Sequence, residues 1–244
     1  MREGFVVVAH GSSDPHAASA LGELVPLVAH RAKERGLSVP DLRIAYLGHA
    51  APSVPQVMRA FGPDMRVRVL PLLLTAAYHS KTDLPRVLAR TGVPVRYGNP
   101  LGPHPLLRRA LERRLPGTAF ENPAETGVVL AAAGSSDPAA NATIARLAAQ
   151  WQARTGWFAV RPAYASAAGP TPAQAVAELR KAGARRVVVA GYLLAPGLFA
   201  DRIRDASLAA GAAAVSPVLG AAPEVADVVL DRYQEAGTRE RAAA

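Results

Sequence analysis

The sequence predicts an α/β protein built as two tandem, pseudo-twofold related, doubly wound domains. Each domain is expected to hold a four-stranded, mainly parallel sheet flanked by helices. Three observations predict this. Short continuous apolar runs alternate with stretches of helical periodicity, as buried parallel strands alternate with their connecting helices. The block Val6-Val7-Val8-Ala9-His10-Gly11-Ser12-Ser13-Asp14-Pro15 returns as Val129-Leu130-Ala131-Ala132-Ala133-Gly134-Ser135-Ser136-Asp137-Pro138. Residues 116–123, rich in Pro, Gly and Asn, read as a linker. The expected domains are therefore 1–116 and 124–244.

In the first half, residues 5–9 form a short apolar run fit for a buried strand. A helix is expected over 16–35, with Leu21, Leu24, Val25 and Val28 on one face and Gly36 stopping it. A strand at 42–47, a helix at 53–61, a strand at 67–74 and a helix at 83–90 follow. A strand at 93–97 and a helix at 104–115 close the unit. The second half repeats the order, with strands near 127–132, 158–164, 186–194 and 213–215 and a last helix near 223–234. Further anchors support the duplication. Ala45-Tyr46 matches Ala163-Tyr164, and Leu73-Leu74 matches Leu193-Leu194. Pro52-Ser53 with Gln56 matches Pro170-Thr171 with Gln174, and Leu101-Gly102 matches Leu219-Gly220.

Composition narrows the function classes. The absence of cysteine excludes disulfides and thiolate metal sites. No run of about 18 apolar residues appears, so no membrane span is expected. Met1-Arg2-Glu3-Gly4 runs directly into an apolar stretch, so a signal peptide is not expected and a cytoplasmic location is. The net charge of +9 suits an acidic small molecule. The basic residues are dispersed and carry no nucleic-acid motif, so nucleic acid is not an expected partner.

The two copies differ in chemistry. All six histidines lie between His10 and His104. The Gly-Ser-Ser-Asp-Pro turn is shared, so it reads as a strand-to-helix connection in which Gly11 allows a tight exit and Ser12, Ser13 and Asp14 cap the helix. His10 becomes Ala133 in the repeat, so the fold does not require it. That makes it a candidate metal ligand or base at the carboxyl end of a strand. The loop Tyr78-His79-Ser80-Lys81 leaves the third strand, and His79 aligns with Phe199. His79 reads equally as a ligand or as a loop residue before the helix at Asp83. His49, after the second strand, faces Ala167 in the repeat and reads as a surface loop residue or a third ligand. His16 and His30 fall on helices facing solvent, and His104 sits at the start of a helix. Two or three imidazoles without a thiolate suit Fe(II), Co(II), Ni(II) or Zn(II). They are too few for a closed structural site.

These residues resemble the class II tetrapyrrole chelatases, the sirohydrochlorin cobalt and iron chelatases, in their long tandem-repeat form. The resemblance rests on Ala9-His10-Gly11-Ser12, the Pro71-Leu72-Leu73-Leu74 strand, the His79 loop ending in Asp83-Leu84-Pro85, and the Pro52-Ser53 helix start. It implies an enzyme that inserts Fe2+ or Co2+ into sirohydrochlorin, for siroheme or cobalamin synthesis. It makes His10 and His79 the ligands and bases; His49, from its own place after the second strand, stays a candidate third ligand. Ser12, Ser13, Tyr78, Ser80 and Lys81 are then the substrate contacts. The divalent metal (Fe2+, Co2+ or Ni2+) is a substrate, and no permanently bound cofactor is expected. The partner is a polycarboxylated tetrapyrrole. A monomer or weak dimer is expected, since a fused pair can build internally what a single repeat needs a dimer to build. One departure stands out: many members carry Glu where Gly48 follows Tyr46-Leu47. That glycine keeps a second reading open, a metal or tetrapyrrole carrier without turnover.

Overall fold

The computed structural model describes residues 3–62, 65–75 and 83–241. It resolves into two compact units, Met1–Leu106 with Gly220–Ala244, and Leu107–Leu219.

In unit 1 the strands β1 (Glu3–Ala9), β2 (Asp41–Tyr46), β3 (Arg66–Pro71) and β4 (Val95–Tyr97) form one sheet in the order β2-β1-β3-β4, all parallel. β1 pairs on both sides and is buried from Gly4 to Ala9, which is why it reads as an unbroken apolar run. Val6 and Val8 of β1 and Val67 and Val69 of β3 pack with α3 (Val54–Arg59) and α4 (Leu84–Ala89). Phe5 belongs to the opposite layer, where its ring meets that of Tyr233.

The helix expected over 16–35 is broken. α1 (Pro15–Gly22) and α2 (Leu24–Glu34) meet at Glu23. Pro26 has no N–H to donate to the Gly22 carbonyl and its ring crowds that oxygen, so the first helix ends there.

Unit 2 repeats the plan. β5 (Thr126–Ala132), β6 (Ala159–Tyr164), β7 (Arg186–Tyr192) and β8 (Ala214–Val215) are parallel in the order β6-β5-β7-β8. Val129, Ala131, Val187 and Val189 pack against α7 (Pro172–Lys181) and α8 (Leu198–Ala209). Ile144, Ala148 and Trp151 of α6 (Pro138–Gln152) are buried as well.

Dividing the chain at 116 and 124 keeps each closing helix with its own repeat, whereas the compact units exchange them. α5 (Pro105–Arg114) lies almost wholly in unit 2, where Trp151 Nε1 donates to Glu112 at 2.9 Å. α9 (Pro223–Arg241) lies in unit 1. There Arg31 donates to both oxygens of Asp227, at 3.1 and 2.8 Å, and Arg35 donates to Asp231 at 2.7 Å. The physical reason is pairing that local patterning does not encode. Asp227 and Asp231 are one turn apart on α9 and meet Arg31 of α2 and Arg35, the residue that caps its end. Tyr233, two residues on, fills the space over Phe5 and under the Arg68 guanidinium, 4.4 Å from its ring centre.

Candidate functional site

The described site candidates of unit 1 gather at the carboxyl ends of β1 and β2. β1 ends at Ala9, paired in register with Tyr46. The pairing runs on past both strands: Leu47 N donates to the Ala9 carbonyl and Gly48 N to the His10 carbonyl, each at 3.0 Å. His10 and His49 therefore leave neighbouring strands at the same edge, and both side chains are exposed. β1 also neighbours β3, and Leu72 N donates to the Val8 carbonyl at 2.7 Å. A crevice between strands one and three is where open parallel sheets bind ligands.

Gly11 makes the turn possible. Its φ is +91°, and a Cβ there would fall within contact of the Gly48 carbonyl, 2.9 Å from its carbon. Asp14 then caps α1. Its Oδ1 accepts from His16 N at 2.9 Å, and its own N–H donates to Ser12 Oγ at 3.1 Å. Hydrogen bonds from the backbone and the ring of His16 hold the Asp14 carboxyl below its ordinary pKa. Ser12 therefore serves the turn through one lone pair, and Ser13 is exposed. Tyr46 OH donates to the Ala18 carbonyl at 3.3 Å, and burial raises its pKa, keeping it a donor.

Unit 2 carries the same frame without the histidines. Gly134 has φ +85°, and a Cβ there would lie 3.0 Å from the Ser166 carbonyl carbon. Asp137 caps α6 through Ala139 N at 2.9 Å, and Asp137 N donates to Ser135 Oγ at 3.0 Å. His49 has φ +58° and Ala167 φ +59°. The left-handed backbone at His49 thus belongs to the repeated frame, and the imidazole is what unit 1 adds. The match of Tyr46 with Tyr164 was visible in the sequence, but its role as a donor to the helix behind the turn was not.

His79, Tyr78, Ser80 and Lys81 lie outside the described residues. Among the described residues no group of three or more His, Asp and Glu stands ready to hold a metal ion. The other histidines have structural surroundings. His16 sits beside the Asp14 cap with its side chain 84% exposed, and His30 lies 3.5 Å from Glu34. His104 is mostly buried. Its Nδ1 accepts from Leu106 N at 3.3 Å, at the start of α5. Burial, and then the nearby Arg232 guanidinium, lower its pKa. No helix among the described residues is long and apolar enough to cross a membrane.

Comparison with known proteins agrees with this frame. The CbiX family model matches residues 4–118 and again 127–236. The sirohydrochlorin ferrochelatase of Bacillus subtilis (strain 168) is 28% identical, over 96% of this chain and 92% of its own. The sirohydrochlorin cobaltochelatase of Priestia megaterium is 31% identical, over 57% of this chain and 48% of its own. Among solved structures, SirB from Bacillus subtilis with Fe3+ superimposes with a TM-score of 0.80 at 24% identity, covering 99% of this chain and 98% of that one. That likeness shows the fold.

Proposed function

The chain belongs to the CbiX family, and on that footing we propose that it inserts Fe2+ or Co2+ into sirohydrochlorin. The observation that carries this reading is the match to the family over both repeats, joined to relatives that are a ferrochelatase and a cobaltochelatase of this one substrate. Insertion replaces two pyrrole protons of the macrocycle by the divalent ion, so the protein must deliver a metal and accept protons. An imidazole with a pKa near neutrality does both in turn. His10 and His79 are the residues we assign to this, with His49 as a further ligand. Ser12, Ser13, Tyr78, Ser80 and Lys81 are assigned to the substrate's carboxylates, as donors. The exposed position of His10 at the end of β1, and its replacement by Ala133 in an otherwise matched turn, support its assignment.

The test is an anaerobic absorbance assay of sirohydrochlorin with Fe2+, Co2+ and Ni2+. The wild-type chain is expected to turn over many times, which a carrier does not. His10→Ala and His79→Ala are expected to lose insertion with an unchanged melting temperature. Wild-type-like rates in both single variants would overturn the assignment of these two histidines.

A further inference from the structure

The chain passes from unit 1 to unit 2 between Leu106 and Leu107 and returns between Leu219 and Gly220. The helix at each crossing carries an arginine at the same place in the repeat. Arg232 of α9 grips the stretch before the first crossing. Its Nε donates to the Pro100 carbonyl at 2.8 Å, and its Nη2 to the Leu101 and Pro103 carbonyls at 3.1 and 3.0 Å. Arg114 of α5 donates to the Leu219 carbonyl at 2.6 Å, before the return crossing. Leu101 matches Leu219 and Arg114 matches Arg232, so this hold belongs to the duplicated frame. His104 does not: in the same register its place falls to Ala222.

His104 holds the start of α5 in a way that depends on its protonation. Its Nδ1 accepts from Leu106 N, so the neutral ring acts as the N-cap of a helix whose first residue, Pro105, has no N–H to offer. A protonated Nδ1 carries a hydrogen and cannot accept. The imidazolium would also set a positive charge against the positive end of α5. Among the described residues, the charged groups that face the ring are Asp231, Arg232 and Glu235, all on α9. Asp231 Oδ2 lies 3.6 Å from Nε2, and Asp231 also accepts from Arg35. Arg232 Nη1 donates to both oxygens of Glu235, at 2.8 and 2.9 Å. The two carboxylates favour the imidazolium, whereas burial and the Arg232 guanidinium oppose it and prevail. The neutral, capping form is the one the fold selects.

We propose that His104 is a pH-sensitive latch on the first crossing. Neutral, it caps α5; protonated, it releases the Leu106 N–H, and the first turn of α5 opens locally while Arg232 keeps its grip on residues 100–103. The direction follows from linkage. The released ring titrates near the ordinary 6.5, above the closed ring, so opening takes up a proton and becomes easier as pH falls below about 6.5. The return crossing has alanine at the matching place, a residue with nothing to titrate. Acid therefore loosens the first crossing and leaves the second as it was.

The experiment is amide deuterium exchange of the full chain at about pH 7.5 and about pH 5.5, on either side of the histidine range. Protection is taken relative to the intrinsic exchange rate at each pH and compared between residues 106–109 and residues 224–227. In the wild type, protection of 106–109 falls about fivefold on acidification, the effect of losing one helix cap, while that of 224–227 is unchanged. His104→Asn keeps an acceptor for the cap and cannot titrate, so its 106–109 segment stays protected at both pH values. His104→Lys is a cation without an acceptor, and its segment is poorly protected at both. Equal protection of 106–109 at the two pH values in the wild type overturns the proposal. So does an Asn variant that still loses protection in acid, a Lys variant protected like the neutral wild type, or an equal loss at 224–227, which would be general softening by acid.

Discussion

Gly11→Ala is the perturbation whose cost follows most directly from the structure. Residue 11 sits at φ +91°, where an L-residue with a Cβ costs about 1–2 kcal/mol. The new Cβ would also run into the Gly48 carbonyl, with the carbonyl carbon 2.9 Å away. Backbone cannot yield there as a flexible side chain can. The two loops must part, at the expense of the bonds from Leu47 N to Ala9 O and from Gly48 N to His10 O. At roughly 1 kcal/mol net for each hydrogen bond, the loss totals about 3 kcal/mol. Gly134→Ala meets the same geometry, with φ +85° and the Ser166 carbonyl in the way, and is expected to cost about as much. Gly48→Ala is the control, since its Cβ enters open space and its loss stays within about 0.5 kcal/mol. Urea unfolding followed by circular dichroism measures all three. A Gly11→Ala protein as stable as the wild type, or a Gly48→Ala protein as damaged as Gly11→Ala, would refute the reasoning.

Two further outcomes are expected. Tyr233→Ala should destabilise by about 3 kcal/mol, because the ring is 8% exposed, packs on Phe5 and lies under Arg68. A wild-type urea midpoint would mean that α9 does not close unit 1 as described. His104 gives a pH dependence. Its folded pKa lies below the ordinary 6.5, so on acidification the unfolded chain takes up a proton that the folded one resists. Its contribution to stability is present above pH about 6.5 and is lost as pH falls from there toward the folded value. His104→Gln should flatten that part of the urea midpoint against pH profile, and an unchanged slope would contradict the assignment.

Much of the architecture was legible in the chain because its causes are local. Continuous apolar runs such as 5–9 and 127–132 announce strands paired on both sides. The repeated Gly-Ser-Ser-Asp-Pro announces a turn that needs a left-handed glycine and a capping aspartate, and both copies have them. The break at Glu23 was legible in principle from Pro26, and a helical periodicity that continues across the proline hid it. His10 stood out because the second copy does without it.

The sequence by itself determined the strand order along the chain, the duplication, and which copy carries the imidazoles, since each of these is a matter of residue type at a given position. The tertiary structure decided which sheet each closing helix covers. Both α5 and α9 have an apolar face, and the meeting of Asp227 and Asp231 with Arg31 and Arg35, together with Tyr233 over Phe5, assigns α9 to unit 1. It also decided what Asn141 and Ser166 do in unit 2. A clamp exists only when a side chain reaches backbone that the fold has brought beside it, six residues away for Asn141 and 33 for Ser166.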